Sequence, residues 1–272
     1  MNNVDKNILK LKKAEQKIRI LEDMVESRTR NLYSANLDLK QRNEALQEVI
    51  IKNKELEQFA YVASHDLQEP LITINSFIDL LGQEYKGKLG EQGNQYLKFI
   101  ADSSNGLSCV VSDLLHYSRI GTNREMTTID CNKLIASIES DLIATIATTK
   151  ATIDVNPLPE IKGFKTELRL LFQNLISNAI KFCAEGTPPH IIISAEKEED
   201  WTFSIQDNGI GIEKRNQEKI FTIFQRIHSK NDYEGTGIGL AQCKKIISLH
   251  GGKIWINSKK DLGSTFYFSI PL

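Results

Sequence analysis

The sequence predicts a multi-domain chain with an N-terminal dimeric coiled coil, a four-helix-bundle dimerisation domain and a C-terminal α/β sandwich. Three observations predict it. A seven-residue apolar repeat runs from Leu11 to Leu81, a second helical pattern follows a glycine-rich turn, and the remainder mixes helical and strand patterns. We place the domain boundaries at 1–56, 57–121 and 126–272.

The first element is a helix with no Gly or Pro between residues 8 and 56. With Leu11 at heptad position a, the a residues are Leu11, Ile18, Val25, Leu32, Leu39, Leu46, Asn53, Ala60, Leu67, Ile74 and Leu81. So strict a repeat favours a parallel dimeric coiled coil over a single amphipathic helix, and the polar Asn53 would fix its register. Arg28 and Arg42 fall at position d, where a charged side chain weakens the apolar seam. These weak positions either let the helix switch between two packings or have no role in signalling.

A histidine follows on the same helix. His65 falls at position f, which faces away from a coiled-coil partner, with Asp66 beside it and Glu69 one turn further on. Pro70 is expected to loosen the helix just past the histidine. Taken by itself, this window is equally typical of a solvated charged face.

A second helix completes a hairpin. Gly82, Gly87, Gly90 and Gly93 predict a polar turn. Apolar residues then recur at helical spacing, at Tyr96, Ile100, Leu107, Val110, Leu114 and Tyr117. Two such hairpins form a four-helix bundle across a dimer, and residues 121–123 read as a linker.

The C-terminal domain mixes helices and strands. Residues 132–149 and 165–182 have helical periodicity. Strand patterns occupy residues 191–193, 201–206, 253–256 and 265–270. This order predicts helices on one face of a mixed sheet.

Three short motifs follow one another in this domain. Asn174, Asn178 and Lys181 share one helix face at i, i+4 and i+7. Residues 207–212 end a strand and contain Asp207, Gly209 and Gly211. Residues 235–240 open a helix, where Gly235, Gly237 and Gly239 let backbone amides approach an anion. Each motif is weak evidence when taken singly.

In this order the motifs resemble the ATP-binding fold shared by histidine kinases, gyrase, MutL and the Hsp90 chaperones. Residues 64–71 (SHDLQEPL) resemble the phosphoacceptor box of sensor histidine kinases, in the phytochrome-like subgroup. Residues 220–228 resemble the kinase lid and end at His228. Residues 262–266 resemble the closing glycine strand, with Asp261 where the family often has Gly. The resemblance covers the chain from about Phe59 to its C-terminus.

The resemblance implies a role for each residue of the nucleotide site. Asp207 should accept a hydrogen bond from the adenine amino group, and Gly209 and Gly211 should leave room for the base. Asn178 should hold Mg²⁺ through its side-chain oxygen, and Asn174 should support the same metal and the phosphates.

The remaining positions concern the phosphates of ATP. Lys181 and Arg226 should neutralise phosphate charge. Three glycines should form the hinge of the lid and cap the triphosphate: Gly235, Gly237 and Gly239.

The resemblance also bears on the reaction. Gyrase and MutL have a glutamate that activates water where this chain has Asn174, and an amide cannot act as a general base. The expected nucleophile is therefore His65, with Asp66 holding its Nδ1–H, and the phosphoryl group would pass to an aspartate on a response regulator. The predicted protein is a homodimeric ATP-dependent protein-histidine kinase. The alternative is a nucleotide-binding scaffold that relays signals through its coiled coil without phosphotransfer.

The composition limits which classes of partner and which cellular compartment the sequence predicts. Lys and Arg number 34 against 35 Asp and Glu, so charge gives no reason to expect nucleic acid or a membrane surface as a partner. The four cysteines are scattered and form no CxxC pair, which is typical of reduced thiols in a cytoplasmic protein. No apolar run is long enough to predict a membrane span.

Overall fold

The computed structural model describes residues 3–122, 125–184, 186–227 and 235–272. Within the first helix it describes the side chains of residues 11–13, 15–52, 55, 56 and 58 onward. Three positions used in the sequence analysis lie outside the described residues: the side chain of Asn53, the linker residue Asn123 and His228.

The described residues contain six α-helices and seven strands, with two short 3₁₀ turns between β5 and α6. In chain order the elements are α1 (Asn3–Glu84), α2 (Gly90–Arg119), β1 (Met126–Asp130), α3 (Cys131–Asp141), α4 (Ile143–Thr149), β2 (Thr152–Val155), β3 (Glu160–Phe164), α5 (Lys165–Lys181), β4 (His190–Lys197), β5 (Trp201–Asp207), the turns Lys214–Asn216 and Lys219–Phe221, α6 (Gly239–Leu249), β6 (Ile254–Ser258) and β7 (Ser264–Ile270).

The chain divides into two units, residues 1–59 and 60–272. Within the first unit the predicted helix is present from Asn3. The predicted seam residues between Leu11 and Leu46 are 55 to 65% exposed. Exposed ion pairs one turn apart, such as Arg42 with Asp38 at 2.9 Å, decorate the helix. A long uncovered apolar seam is the surface that a coiled-coil partner buries.

In the second unit, the C-terminal part of α1 and helix α2 form the predicted hairpin. Leu71 and Ile78 of α1 are buried, as are Val111 and Leu115 of α2. The connection contains Gly87 and Gly90 at φ angles of 78° and 66°. This left-handed region is open to glycine at little cost, so these two glycines permit the turn.

Pro70, which the sequence analysis expects to loosen the helix, lies inside α1. Helix α1 continues through Pro70 to Glu84, so the proline does not end it. An amphipathic helix packed on a neighbour tolerates the lost backbone donor because the rest of the turn stays bonded.

The buried face of the hairpin is not the predicted seam. On α1 the residues against α2 lie at heptad position e, while Leu67, Ile74 and Phe77 of the seam are exposed. On α2 the predicted Tyr96, Ile100 and Leu107 are likewise exposed. A helix in a four-helix bundle contacts two neighbouring helices through two faces. The hairpin buries one of these faces, and the predicted seam is the other.

The C-terminal domain contains a five-stranded sheet of order β2-β4-β5-β7-β6 and a separate antiparallel pair β1-β3. Strand β2 runs parallel to β4, and the other neighbours in the larger sheet are antiparallel. The predicted strands correspond to β4, β5, β6 and β7. Strands β1, β2 and β3 were not predicted, and the predicted helix 132–149 is divided at Leu142 into α3 and α4.

An aromatic cluster fixes α5 to the sheet. Phe172 of α5 meets Phe203 and Phe268 edge-on, at ring-centroid distances of 5.7 and 5.4 Å, and those two rings stack at 4.9 Å. All three side chains are fully buried. Each contributes about 1.5–3 kcal/mol from burial, so α5 is held firmly in place. Helices α5 and α6 pack together on this face, which confirms the predicted α/β sandwich.

None of the helices in the described ranges carries an apolar stretch long enough to cross a bilayer. The four cysteines, all among the described residues, form no disulfide, and burial raises the pKa of Cys131 and of Cys243 to about 12. These two thiols therefore stay protonated at neutral pH and act as small apolar side chains.

Candidate functional site

The C-terminal half of α5 carries the predicted amide and lysine motif. Asn174, Asn178 and Lys181 are all half-buried, and Leu171 and Leu175 on the adjoining face of the helix are buried. The Asn174 side-chain nitrogen donates to the Gly239 carbonyl at 3.4 Å. Asn174 therefore links the motif on α5 to the first residue of α6.

Asp207 lies at the end of β5, where the strand leaves the core. Its Oδ1 accepts hydrogen bonds from the backbone N–H of Gly209 at 2.8 Å and of Ser264 at 3.1 Å. The carboxylate is held at a fixed angle by one oxygen, so its second oxygen is the one that can accept from a ligand.

Burial raises the pKa of Asp207, and the two backbone hydrogen bonds oppose that shift. Burial disfavours the charged form of a carboxyl group, whereas N–H donors favour it. A carboxyl group kept half-buried at such a cost is typical of a binding group.

The glycines around Asp207 have a packing reason that the sequence did not reveal. A Cβ at Gly209 would lie 2.4 Å from the Phe182 carbonyl oxygen, and one at Gly211 would lie 2.0 Å from the Lys259 carbonyl oxygen. Similarly, a Cβ at Gly263 would lie 2.0 Å from the Asp207 carbonyl oxygen. These glycines let three backbone segments meet closely at Asp207.

Asp261 stands where the resembled family often has Gly, and its φ is +63°. This left-handed conformation explains the usual glycine. Aspartate is among the few other residues that adopt it readily. The turn also keeps its hydrogen bond from the Asp261 N–H to the Ile210 carbonyl at 2.8 Å.

The glycine loop (residues 235–239) brings the other predicted phosphate residues together. Arg226 donates to the Gly235 carbonyl at 2.7 Å, and the Phe224 N–H donates to the Gly237 carbonyl at 3.1 Å. A Cβ at Gly235 would lie 2.9 Å from the Lys181 ammonium nitrogen. Two cationic side chains therefore border the loop, which suits it to an anionic ligand.

His65 and Asp66 lie on the exposed side of the hairpin. The His65 Nδ1 is 3.3 Å from Asp66 Oδ1, and the two side chains are 54% and 73% exposed. One turn earlier, the Arg119 guanidinium lies over the Tyr61 ring at 5.3 Å. Within the described ranges, no hydrogen bond or ion pair joins His65 or Asp66 to the nucleotide-site residues.

The glycine loop instead contacts α2 through residues that the sequence analysis missed. Thr236 donates to the Asp113 carboxylate at 2.5 Å. Gln242 on α6 donates to the Asp113 backbone carbonyl at 3.1 Å, and Lys245 donates to the Tyr117 carbonyl at 3.0 Å. One signal was available: Gln242 is a polar residue in the otherwise apolar core-facing pattern of α6.

Two protein families match this chain. The HATPase_c family, described as "Histidine kinase-, DNA gyrase B-, and HSP90-like ATPase", matches residues 163–272. The HisKA family, described as "His Kinase A (phospho-acceptor) domain", matches residues 55–123. The two matched segments contain the nucleotide-site motifs and His65, respectively.

Curated relatives and a solved structure are also similar. Cyanobacterial phytochrome A of Nostoc sp. is 42% identical over 244 residues, covering 87% of this chain and 32% of the relative. Phytochrome-like protein Cph1 of Synechocystis sp. is 39% identical over 241 residues, with the same coverages. The chain thus spans about a third of the length of these relatives.

The crystal structure of full-length ShkA in complex with AMPPNP aligns with a TM-score of 0.61 and 23% identity. The alignment covers 79% of this chain and 45% of that chain. At this identity the likeness supports the fold.

Proposed function

This chain belongs to the sensor histidine kinases, in their phytochrome-like subgroup, and from that membership we propose that it is an ATP-dependent protein-histidine kinase. It would phosphorylate His65 and pass the phosphoryl group to an aspartate on a response regulator. The observation that carries the proposal is the pairing of an exposed His65–Asp66 dyad with a matched ATPase domain in one chain. The HATPase_c match supports ATP as the substrate.

In the proposed adenine pocket, Asp207 accepts from the adenine amino group. Its Oδ1 is already bonded to Gly209 and Ser264, so Oδ2 is the oxygen presented to the base. A carboxylate only accepts hydrogen bonds, which favours adenine over guanine at this point. Lys181 and Arg226, at the border of the glycine loop, would lie against the phosphates and offset their charge.

The residues on α5 fit Mg²⁺. Its ligands are oxygens, and Asn174 directs its nitrogen at two other groups, so its oxygen is the end left to face a cation. Within the described part of the chain, the Asn178 side chain makes no hydrogen bond, so its oxygen is available as a ligand. Asn178, supported by Asn174, would therefore hold the ion, whose charge would offset that of the phosphates.

The proposed reaction is an in-line transfer from ATP to His65. The Nε2 lone pair forms a bond to the γ-phosphorus as the bond from that phosphorus to the bridging oxygen breaks, and ADP leaves with that electron pair. Asp66 accepts from Nδ1–H, which fixes the tautomer that exposes the Nε2 lone pair. It also offsets the positive charge that develops on the imidazole.

We also propose that the chain acts as a homodimer. The exposed apolar face of the hairpin supports this, because Leu67, Ile74 and Phe77 on α1 and Ile100 and Leu107 on α2 are uncovered in a single chain. A second hairpin would cover both rows and complete a four-helix bundle. The HisKA match, which implies dimerisation, points the same way.

The domain division that we propose is a signalling helix at 1–56, a dimerisation and phosphoacceptor hairpin at 57–121 and a catalytic domain at 126–272. The proposed catalytic domain begins at residue 126, before the HATPase_c match begins at residue 163, because Ile129, Leu134 and Ile138 belong to the hydrophobic core of that domain.

Incubation with ATP labelled at the γ-phosphate tests the proposed function. The chain should acquire label that is lost in acid and kept in base, as expected for a phosphorus–nitrogen bond on histidine. His65→Gln should acquire none, while its ATP affinity stays within about twofold of wild type because the acceptor lies outside the nucleotide site. Label that persists on His65→Gln would move the acceptor elsewhere, for instance to His116 on α2.

A further inference from the structure

Gln242 is an amide buried between the nucleotide site and the hairpin. It lies in the first turn of α6 and is only 3% exposed. Its Nε2 donates to the backbone carbonyl of Asp113 on α2 at 3.1 Å, and its Oε1 accepts from Asn174 Nδ2 on α5 at 3.0 Å. Both ends of the side chain are thus engaged, each with a different element.

These partners determine which way both amides face. A backbone carbonyl can only accept, so the end of Gln242 that meets Asp113 must be its NH₂ group. The other end of Gln242 is then its oxygen, which requires an NH₂ group from Asn174. The Gly239 carbonyl also accepts from this Asn174 nitrogen, at 3.4 Å, and independently requires the NH₂ group at that end of Asn174.

The consequence is that the Asn174 oxygen faces away from Gln242. An asparagine without this constraint could present either end to a ligand, because its nitrogen and oxygen have nearly the same shape. In the proposed nucleotide site only the oxygen serves a cation, so the amide must be held in one orientation.

The anchor of this arrangement is on α2. Asp113 contributes its backbone carbonyl to Gln242 and its carboxylate to Thr236 in the glycine loop. Helix α2, which packs against the helix that carries His65, is therefore connected to the Asn174 amide through the side chain of Gln242.

We propose that Gln242 is a positioning residue that orients the Asn174 amide toward the metal and links that orientation to helix α2. This inference rests on the proposed function, because it assigns the support of the same nucleotide site. It requires that loss of Gln242 act on metal-dependent nucleotide binding and leave the adenine pocket at Asp207 intact.

Two variants separate the bonds that Gln242 makes. Gln242→Met keeps the unbranched shape and removes both hydrogen bonds, while Gln242→Glu keeps an acceptor for Asn174 and loses the donor to Asp113. Gln206→Leu is the matched control, since Gln206 is an exposed glutamine on β5. Gln242→Leu is the second apolar variant in case Gln242→Met does not fold, as judged by thermal unfolding without nucleotide.

The measurement is the dissociation constant of a non-hydrolysable ATP analogue, by calorimetry, in chelator and across a Mg²⁺ series. Gln242→Met should bind as wild type does in chelator and lose about tenfold in affinity with Mg²⁺, as expected when a group that supports a metal ligand is removed. Gln242→Glu should retain most of the gain in affinity that Mg²⁺ gives the wild type, and Gln206→Leu should retain all of it.

Two results would overturn the inference: wild-type Mg²⁺ dependence in Gln242→Met, or an equal loss in Gln242→Met and Gln242→Glu. The proposed function is tested separately. A wild-type chain that binds the analogue but forms no phosphohistidine from ATP would contradict the kinase activity, while the affinities would still decide the role of Gln242.

Discussion

Replacing Asp207 with asparagine tests the adenine pocket most sharply. The new amide would keep an oxygen for the N–H groups of Gly209 and Ser264, which now bind Asp207 Oδ1 at 2.8 and 3.1 Å. Its NH₂ group would then occupy the place of Oδ2, so that a donor faces the adenine amino donor. A hydrogen bond to a charged group is worth about 1.5–3 kcal/mol, so we expect ATP affinity to fall about 10- to 150-fold.

Calorimetry with two nucleotides isolates the predicted contact. Wild type and Asp207→Asn should differ greatly in affinity for ATP and little for purine riboside triphosphate, which lacks the amino group. Equal affinities for ATP would remove Asp207 from the adenine pocket. An equal loss with both nucleotides would assign Asp207 a role in the fold of the loop rather than in recognition of the base.

The raised pKa of Asp207 adds a pH dependence with a defined sign. Burial makes the folded state hold this proton more tightly than the unfolded state does. The group therefore contributes stability at low pH that is lost as the pH rises through its raised pKa. ATP binding needs the ionised form and should weaken as the pH falls through the same pKa. Asp207→Asn should abolish both trends and be no less stable than wild type at neutral pH.

Three further predictions concern the hairpin. Ile74→Arg should raise the dimer dissociation constant in analytical ultracentrifugation, because it places a charge in the exposed apolar face of the hairpin; an unchanged constant would refute that interface. Ile72, 59% exposed and two turns from His65, should contribute to regulator docking, so Ile72→Arg should slow transfer to a cognate regulator without changing autophosphorylation. An effect of Ile72→Arg on thermal stability, absent in the exposed control Leu262→Arg, would favour packing instead. Glu69 should make the kinase a weak phosphatase, because its charge opposes the anionic phosphoaspartate. Fast decay of the phospho-regulator that survives His65→Gln but not Glu69→Ala would contradict this.

The elements that the sequence predicted are those with a long or strongly alternating pattern. Helix α5 was predicted within one residue because its apolar residues recur over several turns, and the strands β5 and β7 because β-branched and aromatic residues alternate. Strands β1, β2 and β3 have no more than five residues each, and β1 and β2 bury little, so their sequences carry only a short alternating pattern.

The site was predicted in its parts, but the reasons for some parts lie in tertiary contacts. From the sequence, Gly211 is one glycine of a loop, whereas the structure shows a backbone approach from Lys259 that leaves no space for a Cβ. Gln242 was missed because its two partners, Asn174 and Asp113, are 68 and 129 residues away in the chain. Contacts at such separations are not encoded in any local spacing.

The fate of the γ-phosphate in a single turnover tests the central claim most directly. Excess protein is mixed with labelled ATP, and phosphohistidine, inorganic phosphate and remaining ATP are quantified over time. The account predicts that each ATP consumed appears as one phosphohistidine on His65 and that His65→Gln consumes almost none, because Asn174 cannot activate water as a glutamate would. Steady release of inorganic phosphate without phosphohistidine, unchanged in His65→Gln, would show an ATPase and contradict the account. Nucleotide bound but left intact by both chains would instead favour a scaffold.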